Sequence, residues 1–154
     1  MGKITKIHNI TELEAFARGF VAHLPTAGES SKATVIGLRG ELGAGKTAFT
    51  KAVAKILGVE LNVTSPTFVL LKKYALSAQK FSNLIHIDAY RLKNAHELEV
   101  LGWTELLADS QNLIMIEWPE IVAEAMPVYT KYLDFKHVDE KTREITETEI
   151  IENK

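Results

Sequence analysis

The sequence contains no cysteine, and this absence excludes several kinds of chemistry at once. A chain without thiols forms no disulfide framework, binds no zinc through thiolates and has no cysteine nucleophile. Because disulfides are rare in reducing compartments, the absence is compatible with a cytoplasmic protein. We therefore expect the chain to work in the cytoplasm.

The chain also has no excess of positive charge. Lys and Arg number 18 and Asp and Glu number 20, which gives a formal net charge of −2. A protein that holds nucleic acid mainly by neutralising its phosphates carries a clear basic excess. We therefore expect any contact with RNA to be indirect and to depend on another protein.

Long hydrophobic runs are missing as well, since no apolar stretch approaches the roughly 18 residues of a membrane span. The first six residues lack the apolar segment and the small-residue cleavage site of a secretory signal. We expect neither a leader nor a membrane contact. With 154 residues, of which 46% are hydrophobic, the chain is long enough for one globular domain. The expected organisation is a single domain over residues 1–154 with a polar tail from about residue 139.

Hydrophobic periodicity predicts alternating strands and helices. A first helix is expected to open with a capping box at Thr11 and Glu14 and to continue to about residue 24. A short buried strand over 33–38 leads into a glycine-rich turn and a second helix. Further patterns predict strands at 68–74, 84–88 and 113–116, short helices over 94–108, and a last hairpin of 129–137 with 142–150. The charged second arm of this hairpin is typical of an exposed edge strand.

The glycine-rich turn carries the most specific motif of the sequence. Residues 40–47, Gly-Glu-Leu-Gly-Ala-Gly-Lys-Thr, match G-x-x-x-x-G-K-S/T at every fixed position and lie between the predicted strand and helix. In such a P-loop, consecutive backbone amides and the start of the helix form a phosphate site; the alternative is a glycine-rich turn without a ligand. We expect Lys46 to reach the β- and γ-phosphates of a nucleotide and the Thr47 hydroxyl to hold Mg²⁺. The candidate nucleotide-binding residues are Glu41, Leu42, Gly43, Ala44, Gly45, Lys46 and Thr47.

The order of strand, P-loop and helix predicts a three-layer α/β fold of the P-loop NTPase type, with a mixed central sheet and a C-terminal antiparallel hairpin. A P-loop ATPase also needs an acidic residue at the end of a neighbouring strand. Asp88 and Glu117 each follow an apolar run, and parallel placement of the two strands brings both to the edge where phosphates bind. We expect the two acids to hold the metal or to polarise an attacking water, without dividing these roles. The alternative for either acid alone is a solvated strand end.

The segment that follows the P-loop helix has the composition of a switch loop. Ser65 and Thr67 offer hydroxyls to a γ-phosphate or to the water shell of a metal, and Pro66 favours an extended Ser65. The alternative is a plain turn whose hydroxyls bond the local backbone. The candidate catalytic residues are therefore Lys46, Thr67, Asp88 and Glu117.

Further side chains lie close to the two acids along the chain. His86 shares a strand face with Asp88 and would order it, and Arg91, next to Tyr90, would bind phosphate or an acidic group of a partner. Trp118 would stack on a base or fill an interface. The alternatives are a satisfied core histidine, an ordinary surface arginine and a core tryptophan.

Taken together, four blocks of sequence resemble the TsaE (YjeE) family. They are residues 40–47, Thr64-Ser65-Pro66-Thr67-Phe68, His86-Ile87-Asp88-Ala89-Tyr90-Arg91-Leu92 and Ile116-Glu117-Trp118-Pro119. The order and spacing agree with the family from about residue 5 to 137, without a departure at these motif positions. The resemblance implies a bacterial ATPase needed to form threonylcarbamoyladenosine beside the anticodon of tRNAs that read codons beginning with A. It also implies binding to the TsaB–TsaD heterodimer, with ATP hydrolysis permitting repeated turnover while TsaD makes the transfer.

The resemblance implies roles for individual residues and for a loop. Lys46 and Thr47 would contact phosphate and Mg²⁺, while Asp88 and Glu117 would lie at the metal and the attacking water. The base would lie near the N-terminal segment, which makes Thr11 a candidate for an adenine contact. The expected cofactors are ATP and Mg²⁺, and tRNA would be approached only through the TsaB–TsaD complex. The candidate switch and partner residues are Ser65, Pro66, Thr67, Phe68, His86, Tyr90, Arg91 and Trp118.

Other functions also fit a P-loop. A small-molecule or nucleoside kinase needs cationic clamps for its second substrate, whereas the chain has only four arginines. A guanine-specific switch GTPase usually carries an Asn-Lys-x-Asp motif, which the sequence lacks. An ATP-sensing adaptor would bind a partner without useful hydrolysis. Because few arginines are present to offset transition-state charge, we expect hydrolysis by the isolated chain to be slow.

Overall fold

The computed structural model describes residues 2–27, 31–41, 43–59, 71–77 and 80–148. No helix within these ranges is long and apolar enough to span a bilayer. Short 3₁₀ segments cover Ala89–Arg91 and Pro119–Ala125. The other elements are β1 (Lys3–Ile7), α1 (Ile10–His23), β2 (Thr34–Gly40), α2 (Lys46–Ile56), β3 (Leu71–Ala75), β4 (Asn83–Asp88), α3 (Ala95–Val100), α4 (Trp103–Ala108), β5 (Asn112–Glu117), β6 (Lys131–His137) and β7 (Arg143–Thr148).

One mixed sheet of seven strands organises the described part of the chain, in the order β1-β7-β6-β2-β5-β4-β3. Its centre is parallel, because β2 pairs with β5 and β6 in parallel and β5 pairs with β4 in the same way. Its margins are antiparallel, through the pairs β3 with β4, β6 with β7, and β7 with β1. The predicted α/β fold with a mixed sheet and a C-terminal antiparallel hairpin is confirmed.

Helices cover both faces of this sheet, so its central strands are buried on two sides. All six residues of β5 are buried, which explains its continuous apolar sequence. On one face, β5 contributes Met115 to a core shared with α1 and α2, which includes Phe49. On the other face it contributes Ile114 to a core shared with α3 and α4, which includes Trp103. The result is the predicted arrangement of three layers.

The first helix begins earlier than the sequence predicts. Its cap is Asn9, whose Oδ1 accepts a hydrogen bond from the Glu12 backbone N–H at 2.9 Å. Glu12 reaches back past the cap and accepts the backbone N–H of His8 at 2.8 Å, a variant of the capping box in which the bond goes to the residue before the cap. The prediction of a cap at Thr11 with Glu14 is therefore wrong, and Thr11 lies exposed in the first turn. The same spacing of a capping residue and a glutamate occurs twice, two residues apart, and asparagine is the stronger cap.

The position of the C-terminal hairpin is also corrected. The hairpin itself forms as predicted, but its charged second arm, β7, lies between β6 and β1. The edge strand on this side of the sheet is β1, which pairs with β7 from Lys3 opposite Glu147 to Ile7 opposite Arg143. The alternating polar residues of β7 thus face the outside of the sheet while Ile145 enters the core. Charged residues therefore did not distinguish an edge strand from an interior strand that has one solvent-facing side.

Candidate functional site

The P-loop is shaped by glycines at positions that other residues adopt with strain. Gly43 has φ +80° and Gly45 has φ +108°. Gly40, with φ +145°, leaves β2 so close to β6 that a Cβ there would lie 2.5 Å from the backbone oxygen of Phe135. Gly45 then caps α2, which begins at Lys46 as predicted. The helix therefore directs its first free N–H groups toward the loop, where they can bind an anion.

Lys46 is the buried cation of this loop, with 4% of its surface exposed. Its Nζ donates a hydrogen bond to the backbone oxygen of Gly40 at 2.5 Å and lies 3.6 Å from the centre of the Trp118 ring. Burial lowers the pKa of Lys46, while the charges of Glu117, Glu120 and Asp88 act in the opposite direction. The ammonium group is thus poorly hydrated, which favours its binding to an anion that enters the loop.

The two predicted acids lie side by side at the end of the parallel strands. Asp88 ends β4, Glu117 ends β5, and the register places them directly opposite each other. Glu117 is also opposite Leu38 of β2, two residues before Gly40. The structure therefore brings both carboxylates to the same edge as the P-loop, as parallel placement predicted.

The surroundings of the two acids differ. Glu117 is 3% exposed, whereas Asp88 is half-buried and its Oδ1 accepts the backbone N–H of Tyr90 at 3.0 Å. The Nε2 of His86 lies 2.6 Å from Oε2 of Glu117. The prediction that His86 orders Asp88 is therefore corrected, because the ring reaches across to the neighbouring strand. Sequence reasoning missed this pair, which is a diagonal one: the register places His86 opposite Met115 and Glu117 opposite Asp88.

An aromatic pair lies beside the P-loop. The rings of Tyr90 and Trp118 are 5.1 Å apart at an angle of 50°. Trp118 is half-buried and has φ +62°, so it is not a plain core tryptophan: it packs against the α3 and α4 core and also covers Lys46. The contact between Trp118 and Lys46 could not be predicted from the sequence, because it depends on the turn after β5.

A cavity of about 440 Å³ brings these groups together. Most predicted site residues that the structure describes lie on its wall, while His86 is buried behind Glu117. Arg91 is exposed at the same cavity. The lining residues are Gly43, Gly45, Lys46, Thr47, Ala48, Asp88, Tyr90, Arg91, Glu117 and Trp118.

A second hollow of about 460 Å³ adjoins the first at Thr47 and Ala48 and extends between α1 and α2. Its wall includes Ile10 and Glu14 of α1 but not Thr11. A larger hollow of about 680 Å³, between α1 and β1, contains none of the predicted site residues. The adjoining hollow is therefore the one that continues the P-loop cavity toward the N-terminal helix.

Several predicted positions lie outside the described residues. They are Leu42 of the P-loop and the four residues of the proposed switch segment, Ser65, Pro66, Thr67 and Phe68. Their assigned roles stay predictions. Glu41 is described, but it is exposed and does not line the cavity.

Comparison with known proteins identifies the family and supports the fold. The family model for the threonylcarbamoyl adenosine biosynthesis protein TsaE matches residues 7–145. A TsaE protein of Bacillus subtilis strain 168 is 36% identical over 125 residues, covering 81% of this chain and 75% of the relative. One from Rickettsia bellii is 34% identical over 140 residues, covering 90% of each. The crystal structure of Bacillus subtilis YdiB superposes with a TM-score of 0.74 at 30% identity, covering 97% of this chain and 88% of that one. The chain therefore belongs to the TsaE family, the family of tRNA threonylcarbamoyladenosine biosynthesis proteins.

Proposed function

We propose that the chain binds ATP with Mg²⁺ and hydrolyses it, and that this hydrolysis supports formation of tRNA threonylcarbamoyladenosine through the TsaB–TsaD complex. One observation carries the proposal: a glycine-shaped P-loop with a buried lysine shares a cavity with two carboxylates at the end of adjacent parallel strands. This is the combination that hydrolysis of a nucleoside triphosphate requires. The family role supports tRNA modification as the process that this hydrolysis would serve.

The triphosphate binds through the main chain and through Lys46. The first free amides of α2 and the turn formed by Gly43 and Gly45 provide N–H donors for phosphate oxygens. Lys46 exchanges part of its contact with Gly40 and Trp118 for the β- and γ-phosphates. Because Lys46 is already desolvated, forming this ion pair removes little water from the cation.

Oxygen donors suited to Mg²⁺ are present at the same cavity. Thr47 offers a hydroxyl, and Asp88 and Glu117 offer carboxylates. The described residues contain no group of three or more His, Cys, Asp or Glu side chains that could hold a metal ion by themselves. A site of this kind fits Mg²⁺, which is usually held by one or two carboxylates together with substrate phosphates. Bound there, the ion neutralises part of the triphosphate charge.

The protein's own residues leave the site short of positive charge. Among the described residues, the cavity wall carries two basic side chains, Lys46 and Arg91, and two carboxylates, Asp88 and Glu117. A transferring phosphoryl group is stabilised by cations, and an added arginine can raise hydrolysis rates by roughly a thousandfold or more. We therefore propose that turnover by the chain alone is slow and that the TsaB–TsaD partner completes the site.

The adenine base is proposed to occupy the hollow that adjoins Thr47. This hollow leads from the P-loop toward the first turn of α1, which is where the base is expected from the family resemblance. Ile10 and Ala52 offer apolar surface there, and Lys51 and Glu14 offer polar groups. Thr11 remains a predicted contact from the adjacent exposed turn.

Calorimetry tests the binding step. We expect Mg²⁺-ATP to bind more tightly than Mg²⁺-GTP, and Lys46→Ala to weaken binding of ATP. Glu117→Gln is expected to bind ATP but not to hydrolyse it, so that phosphate is no longer released. This result would separate binding from hydrolysis. A folded wild-type sample that shows no heat with Mg²⁺ and ATP contradicts the proposal.

Two further measurements separate the rival functions. Complementation of threonylcarbamoyladenosine formation by Glu117→Gln would favour a non-hydrolysing adaptor, whereas failure of this variant supports the ATPase. Transfer of labelled phosphate from ATP to a nucleoside, nucleotide or sugar would favour a kinase. Different capture of the TsaB–TsaD pair by ATP-loaded and ADP-loaded protein is the result expected if the nucleotide state governs the partner.

A further inference from the structure

The contact between His86 and Glu117 lies in a part of the protein that excludes water. His86 is 0% exposed and Glu117 is 3% exposed, and the two side chains come from adjacent strands. Their separation of 2.6 Å is that of a short hydrogen bond to a carboxylate. A carboxylate this deeply buried is costly to leave without a donor, so the ring has a specific electrostatic task.

The hydrogen bond indicates which ring nitrogen carries the proton. Nε2 faces an oxygen of Glu117, so it is the donor when Glu117 is ionised; an unprotonated Nε2 would then place two lone pairs against each other. Nδ1 is buried and has no hydrogen-bond partner within the described residues. A proton on Nδ1 would thus be a buried donor with nothing in that part of the chain to receive it. The arrangement favours the neutral tautomer with hydrogen on Nε2.

The hydrogen bond also fixes where Glu117 points. It engages Oε2, at the end of β5, while the side chain still lines the P-loop cavity. A side chain of β4 thus holds the acid that ends β5, across the pair of adjacent parallel strands.

We infer that His86 is a positioning residue for hydrolysis, which holds Glu117 in one orientation through the Nε2–H donor. This inference rests on the proposed ATPase function. Contacts behind an active-site ligand that fix its orientation change activity or metal affinity by roughly 10- to 100-fold when removed. The expected loss falls on the rate of the chemical step, because Lys46 and the loop amides hold the nucleotide without His86.

Three substitutions separate positioning from packing. His86→Gln keeps an N–H group at nearly the same reach from the backbone as Nε2. His86→Asn keeps an amide that is too short to reach Glu117, and His86→Leu fills the space without a donor. We expect His86→Gln to retain kcat within roughly fivefold and the other two to lose roughly 10- to 100-fold, with KM for ATP changed much less.

Coupling to Glu117 provides a second kinetic test. Adding His86→Leu to Glu117→Gln should produce almost no further loss, because the group that His86 positions has already been altered. Phosphate release is measured for the full chain, alone and with the TsaB–TsaD pair. Thermal unfolding of each variant identifies the fraction that is folded.

A spectroscopic measurement needs neither nucleotide nor activity. In protein labelled with ¹⁵N at histidine, two-bond correlations distinguish hydrogen on Nε2 from hydrogen on Nδ1, and the His86 signal is assigned by its absence in His86→Gln. We expect the Nε2–H tautomer in the wild type and a changed Nε2–H proton shift in Glu117→Gln.

The outcomes are distinguishable. A Nδ1–H tautomer, an unchanged kcat in folded His86→Leu, or equal losses in His86→Gln and His86→Leu would each overturn the positioning role while leaving the ATPase proposal intact. A wild type that neither binds nor hydrolyses ATP, with or without the partner pair, overturns both.

Discussion

The sheet has a parallel centre and an antiparallel flank, and the two regions do different work. The parallel centre, β2, β5 and β4, ends at Gly40, Glu117 and Asp88, so three strands deliver their last residues to one edge. The antiparallel flank, β6, β7 and β1, alternates in direction, so the C-terminal ends of adjacent strands lie at opposite edges. The C-terminal residues of several neighbouring strands can meet only in the first arrangement.

The flank contributes packing instead. Phe135 and Ile145 enter the core shared with α1 and α2, while Arg39 of β2 is fixed to Asp134 of β6 by two hydrogen bonds of 2.6 and 2.9 Å. The flank therefore stabilises the strand that leads to the P-loop without adding a side chain to the nucleotide cavity. Substitutions in the two regions should separate stability from binding.

The largest expected effect is on stability, from a truncation in the flank. Ile145→Ala removes a fully buried side chain of β7 and should lower the free energy of unfolding by about 3 kcal/mol. ATP affinity of the folded protein should not change. Urea denaturation and calorimetry measure the two quantities, with the exposed Val138→Ala as the control. A loss of affinity greater than the unfolded fraction explains would break the separation between flank and centre.

A truncation in the centre should have the opposite signature. Lys46→Ala is expected to weaken ATP binding about 100-fold, the equivalent of losing a strong charged hydrogen bond, with a smaller loss of stability than Ile145→Ala causes. The control is Lys136→Ala on β6, an exposed lysine that lines neither the P-loop cavity nor the adjoining hollow. Equal ATP affinities for the two variants would refute the assignment of Lys46.

The helix cap next to the adenine hollow allows the same comparison of stability with ATP binding, with smaller expected effects. Asn9→Ala should cost about 1 kcal/mol of stability, because the Glu12 N–H loses its acceptor. Thr11→Ala should leave stability nearly unchanged, since Thr11 does not cap the helix. Thermal unfolding of both variants measures this difference. If Thr11→Ala weakens ATP binding, the predicted adenine contact gains support, and if Thr11→Ala destabilises more than Asn9→Ala, the assigned cap is wrong.

The smallest expected effect concerns the boundary between the two regions. Both partners of the Arg39–Asp134 pair are partly exposed, so a double-mutant cycle should give a coupling of about 0.5 to 1 kcal/mol. The hydrogen bond with Asp134 raises the pKa of Arg39, so the pair stays charged on the arginine side at all ordinary pH values. The coupling should decrease with added salt. A salt-independent coupling of several kcal/mol would mean that the pair is a buried part of the core.

Much of the parallel centre could be predicted from the sequence, because its signals are local. The fixed positions of residues 40–47 specify the P-loop, and two apolar runs that end in Asp88 and Glu117 specify where the acids lie along the chain. The family confirms the fold and the general role. The roles of individual side chains stay predictions, including those of the switch segment.

What the sequence could not provide depends on which strands are neighbours. His86 and Asp88 are two residues apart on β4, so a local interpretation pairs them. The partner that the structure shows for His86 is Glu117, on the neighbouring strand β5. The edge strand was missed for a similar reason: β1 is short and carries lysines, and only its pairing with β7 makes it a strand. Local patterns identify elements, but contacts between distant elements need the sheet order.

The backbone of Trp118 carries a mechanical consequence. Its N–H donates a hydrogen bond of 3.2 Å to the backbone oxygen of Leu38, two residues before Gly40, while its indole covers Lys46. A rotation of the peptide at residue 118 would therefore disturb both the strand that feeds the P-loop and the position of the half-buried indole over Lys46.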